Sequence, residues 1–234
     1  MGLRISTNMA ALSTQRNLGV NQKRAEHALS AISSGSRIIT AADDAAGLAI
    51  SESLKGQLRG IGAARSNAYQ AGSLIQVSEG GLNEINNILI RVRELGIQAA
   101  SDTVGETERG FLNTEAKAII QEADRIARTT RVGDKVLLDG SGGKQEYHVG
   151  PYGGSENVIG FELSTNATTS ALEVDSVSVG TKEDARDSLK YIDNALTKIG
   201  AMRANFGAVQ NRLNTTVSNL DTQYENIASA NSRI

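Results

Sequence analysis

Nucleophilic, acid–base and metal chemistry draw on few residue types, and this 234-residue chain is short of most of them. It has no cysteine, so it can build no disulfide, thiolate nucleophile or thiolate metal site. Its two histidines, His27 and His148, stand far apart, without His-Glu-x-x-His or any related spacing, which argues against a metal centre or a histidine-assisted nucleophile. His27 is expected on a solvated helix face. Gly140-Ser-Gly-Gly-Lys144 resembles a phosphate loop, but Leu138 stands where the first glycine of Gly-x4-Gly-Lys belongs and Gln145 where a Ser or Thr would hold magnesium. It reads as a hairpin turn. Asp43-Asp44 and Glu106-x-Glu108 could supply paired carboxylates, yet each pair stands where a helix is expected to begin, and carboxylates there cap the first turn and suit its dipole. Arg125, Arg128 and Arg131 recur every three residues in a chain of net charge −2, a solvated helix face and not a grip for nucleic acid. These residues imply no enzyme and no cofactor.

The elements that carry them are mostly helical. Ile5, Met9 and Leu12, then Ala25, Ala28, Leu29 and Ile32, fall at steps of three and four that fit an amphipathic helix, with a thin stretch between. Ser33-Ser-Gly-Ser36 breaks it, and a second helix is expected from near Asp43. From there Leu54, Leu58, Ile61, Ala68, Ala71, Ile75, Leu82, Ile85, Leu89, Val92 and Ala99 form a coiled-coil-like seam. A helix of that length would run to about 85 Å, which implies a rod. Gly72, Gly80 and Gly81 mark a place for a bend or a close helix approach.

After Ser101-Asp-Thr-Val-Gly105, a third helix is read from Leu112, Ala116, Ile119, Ala123 and Ile126. The period then becomes strand-like in four runs: Lys135 to Leu138, Gln145 to Val149, Val158 to Leu163 and Leu172 to Val179. Glycine-rich turns separate the first three, so a small antiparallel β region is expected. Thr181-Lys-Glu-Asp184 has the form of a capping box and opens a heptad series: Leu189, Ile192, Leu196, Ile199, Phe206, Val209, Leu213, Val217, Leu220, Tyr224 and Ile227.

The two long stripes can be buried only against each other. The expected fold is therefore mainly α: an elongated antiparallel coiled-coil-like bundle with a small antiparallel β region near the tip. Composition agrees, with 39% hydrophobic but only 3% aromatic residues, no tryptophan and one proline, Pro151. No run of 18 apolar residues and no apolar leader core occurs, so neither membrane insertion nor a cleavable signal peptide is expected.

Several segments, in order, carry a resemblance. Leu3-Arg-Ile-Ser-Thr-Asn8, Leu29 to Ile38, Ala41-Ala-Asp-Asp-Ala-Ala-Gly-Leu-Ala-Ile50, Ile75 to Asn86, Arg91-Val-Arg-Glu-Leu95, Gly207 to Arg212 and Ala230-Asn-Ser-Arg-Ile234 resemble bacterial flagellin. The resemblance implies a structural subunit that self-assembles into the extracellular flagellar filament for motility. Its partners would be other copies of itself, the flagellar export and capping machinery, and the host Toll-like receptor that senses flagellins, with no nucleic acid. A hook-filament junction protein is the alternative in the same class, and a helical signalling or adapter rod the alternative in another.

Residues 1–42 correspond on this resemblance to the N-terminal half of the inner filament domain. Residues 43–132 and 181–234 correspond to a helical rod domain, with 133–180 as its β region. Flagellins continue past Ser-Arg-Ile with a second inner helix, and this chain is given to Ile234. Receptor contacts carry over to Arg91, Leu95, Glu122 and Leu220, with Ile90 where the family commonly has Gln. Leu3, Ile5, Met9 and Leu12, a stripe without a partner in the chain, are expected to pack between subunits.

Overall fold

The computed structural model describes residues 8–163 and 165–234. Leu3 and Ile5 lie outside them. The chain divides into two units, one running to Arg59 and including Glu225–Ile234, the other Gly60–Tyr224.

In the first unit, α1 spans Met9–Ser34 and has no buried residue. Asn8 caps it, its side-chain oxygen accepting the Ala11 N–H at 3.1 Å. Gly35 ends it at φ +66°, the left-handed geometry that suits glycine. Asp43 then accepts the Ile39 and Thr40 N–H groups at 3.1 and 2.9 Å, and Asp44 accepts that of Gly47 at 2.9 Å as α2, Ala45–Ala99, begins. The capping role expected of this acidic pair is what the structure displays. A Cβ on Gly47 would come within 2.5 Å of Asp44 Oδ2 and 2.7 Å of Ile38 Cδ1, so a larger residue there would have to displace the Asp44 carboxylate from its capping position.

In the second unit, α2 packs with α3, Glu106–Thr129, and α5, Lys182–Arg233. Glu108 accepts the Gly105 N–H at 2.7 Å, again a capping role. Arg109 reaches back to the Ala99 and Ser101 carbonyls at 2.8 and 2.9 Å, closing the end of α2. Thr181 caps α5 by accepting the Asp184 N–H at 3.1 Å. Three ion pairs, Arg65–Asp221, Glu79–Arg203 and Arg93–Asp193, descend on one helix as they climb on the other, so α2 and α5 run antiparallel.

The core is aliphatic. Ile75, Leu82, Ile85 and Leu89 meet Ile192, Ile199, Phe206 and Leu213, with Ile120, Ala123 and Ala127 from α3. On α3 the innermost stripe is Ala116, Ile120, Ala123 and Ala127, rotated from the expected one, which leaves Leu112, Ile119 and Ile126 half-buried at its flank. Alanines turned inward let the helices approach. Gly81 lets the β region approach α2: a Cβ there would come within 2.7 Å of Leu138 Cδ1. α2 is assigned as a single helix through Gly72 and Gly80.

The β region differs from expectation in its pairing. Lys135–Val136, β2, pairs with β1, Arg131–Val132, while β3, Lys144–His148, pairs with β4, Val158–Glu162. The Gly140 to Lys144 turn therefore joins two separate antiparallel ladders and is not a hairpin within one. Its glycines stand at φ +81° and +58°, and Asp139 accepts the Ser141 N–H at 2.9 Å. The fourth run is not a strand. Thr169–Leu172 is a short helix, α4, and Val174, Val177 and Val179 face the core from irregular backbone. Asn113 serves where a ladder would, accepting the Val179 N–H at 3.1 Å.

Candidate assembly and recognition surface

No group of three or more His, Cys, Asp or Glu converges among the described residues. His148 lies on β3, where its carbonyl accepts from Asn67 at 2.9 Å. His27 is not simply solvated. Its Nε2 lies 2.9 Å from Asp43 Oδ1, tying α1 to the turn before α2. The Thr40 N–H, then the His27 side chain, hold the Asp43 carboxyl well below the usual carboxylate range. Arg37 donates twice to the Ile234 carbonyl at 3.0 and 2.8 Å, and Ser51 donates to Asn231 at 2.9 Å, so the same unit is fastened at both of its chain segments.

What these bonds leave exposed is apolar. Met9, Leu12, Leu18, Leu29 and Ile32 are all exposed on α1. Leu18 falls in the stretch expected to be thin; its separations of eleven from Leu29 and fourteen from Ile32 are close to three and four helical turns.

The second unit presents a charged face. Arg91 binds Glu115 through Nε and Nη2 at 3.1 and 2.8 Å, and Glu94 through Nη1 at 3.1 Å. Glu115, first, and Glu94 raise the Arg91 pKa above its ordinary value. Sequence reasoning did not single out Glu115. The signal was there, because Arg91 and Glu115 lie equally far from the turn around Thr103 that folds α3 back on α2. Glu122 is two helical turns further along α3 and binds Arg125 at 2.6 and 2.8 Å, which lowers its pKa. Arg128 pairs with Asp124, so Arg125 and Arg128 are solvated as expected and each is paired within α3, whereas Arg131 lies beyond the helix on β1.

The other two recognition residues are not at this surface. Leu95 is 1% exposed in a small cluster with Ala99, Ala116, Val179 and Ala185. Leu220 is 3% exposed and sits beside Asp221, the partner of Arg65, roughly 39 Å along α2 from Arg91. Arg91 and Glu122 thus share one end of the unit, and Leu220 belongs to the other.

Comparison with known proteins decides what kind of molecule this is. Residues 5–142 match the bacterial flagellin N-terminal helical region and residues 189–234 the bacterial flagellin C-terminal helical region. The chain belongs to the bacterial flagellin family. A flagellin of Halalkalibacterium halodurans is 37% identical over 233 residues, covering 98% of this chain and 84% of that protein. A flagellin of Bacillus subtilis is 34% identical over 267 residues, covering 99% and 86%. The crystal structure of Bacillus cereus flagellin superposes with a TM-score of 0.60 at 27% identity, covering 71% of this chain and 94% of that one. Flagellins are structural proteins, not enzymes, and this one is a subunit of the extracellular flagellar filament that assembles with copies of itself. No helix among the described residues is long and apolar enough to cross a membrane.

Proposed function

We propose that this flagellin subunit enters the filament through α1, and that the face around Arg91 is what a host Toll-like receptor reads. The observation that carries the first part is that α1 has no buried residue while Met9, Leu12, Leu18, Leu29 and Ile32 are exposed along it. An amphipathic helix gains most of its stability from packing its apolar face, and neighbouring subunits supply the partner. Leu3 and Ile5, which continue the same stripe in sequence, belong to this contact. The flagellar export and capping proteins are the further partners, a reading that rests on family membership.

The receptor reading is supported by an arginine fixed in place at the surface. Glu115 and Glu94 hold the Arg91 guanidinium on one side, so it is ordered before any partner arrives. Glu122 lies on the same end of α3. Leu95 and Leu220, being buried, would contribute by holding α2 and α5 in place and not by contact. Arg91→Ala should lower receptor signalling with the circular dichroism spectrum unchanged, and Ile90→Gln should leave signalling equal or higher. Full signalling from Arg91→Ala would remove this reading. Replacing Met9 and Leu12 together by serine should slow seeded polymerisation and leave the thermal melt of the monomer unmoved; unaltered polymerisation would remove the first.

A further inference from the structure

A filament that grows without closing uses a heterologous contact, in which one patch of a subunit meets a different patch of the next. The second unit carries two unlike features that fit this requirement. One is a groove of about 890 Å³, walled by Tyr69, Ser73 and Val77 of α2, Val132 and Lys135 of the small ladders, and Tyr224 of α5. Tyr69, Val77, Val132 and Tyr224 are all exposed there. The other is a knob. Phe111, on the first turns of α3, is 71% exposed, the most open aromatic side chain among the described residues.

Their charges are complementary. The groove holds Arg65, already paired with Asp221, and Lys135, which is bonded only to the neutral Gln145 side chain at 2.6 Å. Phe111 lies one turn from Glu115, which Arg91 holds, and one turn on the other side from Glu108, which accepts the Gly105 N–H, so Lys135 and Glu108 are the charges left to meet. The two features cannot meet within one subunit. Arg91 and Arg109 hold the start of α3 beside the last turns of α2, which places Phe111 about 35 Å along that helix from the groove at Tyr69 and Ser73. A second copy displaced along the helix direction can bring one to the other.

We infer that Phe111 of one subunit seats in the Tyr69–Val77–Tyr224 groove of the next, a head-to-tail contact between second units. It does not involve α1, and it lies one helical turn from Glu115, which holds Arg91 in the receptor reading above. Burying an aromatic ring in an apolar, tyrosine-lined groove is the chemistry of an interface anchor. The surrounding charges set its orientation.

The chain has no cysteine, which makes a covalent test clean. Phe111→Cys combined with Ser73→Cys, polymerised on filament seeds and oxidised, should give a ladder of covalent multimers that collapses on reduction. Ser73 is exposed and its hydroxyl bonds only the Tyr69 carbonyl, so neither change disturbs the core. Phe111→Ala should raise the critical concentration for polymerisation at least about tenfold, equivalent to about 1.4 kcal/mol, with the melt of the monomer unchanged.

Monomer alone from the oxidised pair, or an unaltered critical concentration, overturns the contact. Dimers from Phe111→Cys alone would show like meeting like and also overturn it. A ladder from Leu12→Cys with Ser73→Cys in its place would assign the groove to α1 of the neighbouring subunit.

Discussion

The first unit's α1 and the second unit's α2 are both amphipathic helices built from aliphatic residues, yet one hides nothing and the other buries a residue at nearly every turn from Ile61 to Ala99. The difference is not in hydrophobicity per se. α2 has α5, α3 and the β region to cover it, whereas α1 is held by polar bonds at its end: His27 to Asp43, and the Gly35 turn. A stripe read from sequence says which side chains seek cover. It does not say whether the cover belongs to the same chain.

The largest effect that can break this comparison is a cavity. Leu213 is 2% exposed in the central cluster, so Leu213→Ala should cost about 2–5 kcal/mol, whereas Leu18→Ala on α1 should stay within about 0.5 kcal/mol in the monomer. Matching thermal melts for the two variants would erase the distinction. Next in size is a glycine pair. Gly81→Ala drives a methyl against Leu138 and Thr130 and should cost about 1–3 kcal/mol. The same change at Gly19, with open space around it, should strengthen α1 by up to about 1 kcal/mol. Denaturant melts for the first and helical dichroism for the second would read the opposite signs.

The third effect is smaller and confined to the first unit. Asp43 has its carboxyl pKa lowered by the fold, so the stability it lends is present above the ordinary carboxylate range and is lost as pH falls below it. Acid should loosen α1 from the turn at Ile39 and Thr40 before it disturbs the second unit's core. Amide exchange around residues 27–43 followed down to about pH 2 checks this, and Asp43→Asn should abolish the acid step. An acid step that persists in Asp43→Asn would assign it to other groups.

Much of the fold was legible because period and packing agree. The seam of α2 leaves gaps of seven at Ile61–Ala68, Ile75–Leu82 and Val92–Ala99. The structure fills them with Ala64, Ser78 and Leu95. Ser78 was invisible because it is polar, and it is tolerated inside because its hydroxyl returns to the Leu74 carbonyl at 3.0 Å. Leu95 was assigned to recognition by resemblance, although its place three after Val92 and four before Ala99 puts it in the seam.

Leu172 to Val179 failed for another reason. The run is rich in valine and reads as a strand, but Val174 is three residues from Val177, which no period of two places on one face; all three valines are buried from irregular backbone with no strand beside them. Of the surface, Arg91 is named by resemblance, whereas Glu115 follows only from counting residues on either side of the Thr103 turn, which the resemblance does not prompt.

The ion pairs joining α2 and α5 have a consequence for folding that their strength alone would not suggest. Arg93–Asp193 is exposed and the other two are partly exposed, and such pairs contribute only about 0–1 kcal/mol. A heptad repeat, however, offers α5 a second docking position seven residues away, with the apolar stripe nearly as well covered. In one such slip Arg93 would lose Asp193 and face Arg186, while Arg65 would exchange Asp221 for Asn214. Attraction in one position becomes repulsion in the other. The charges therefore act as a vernier, selecting one alignment of two long helices among several that the hydrophobic effect leaves close in energy.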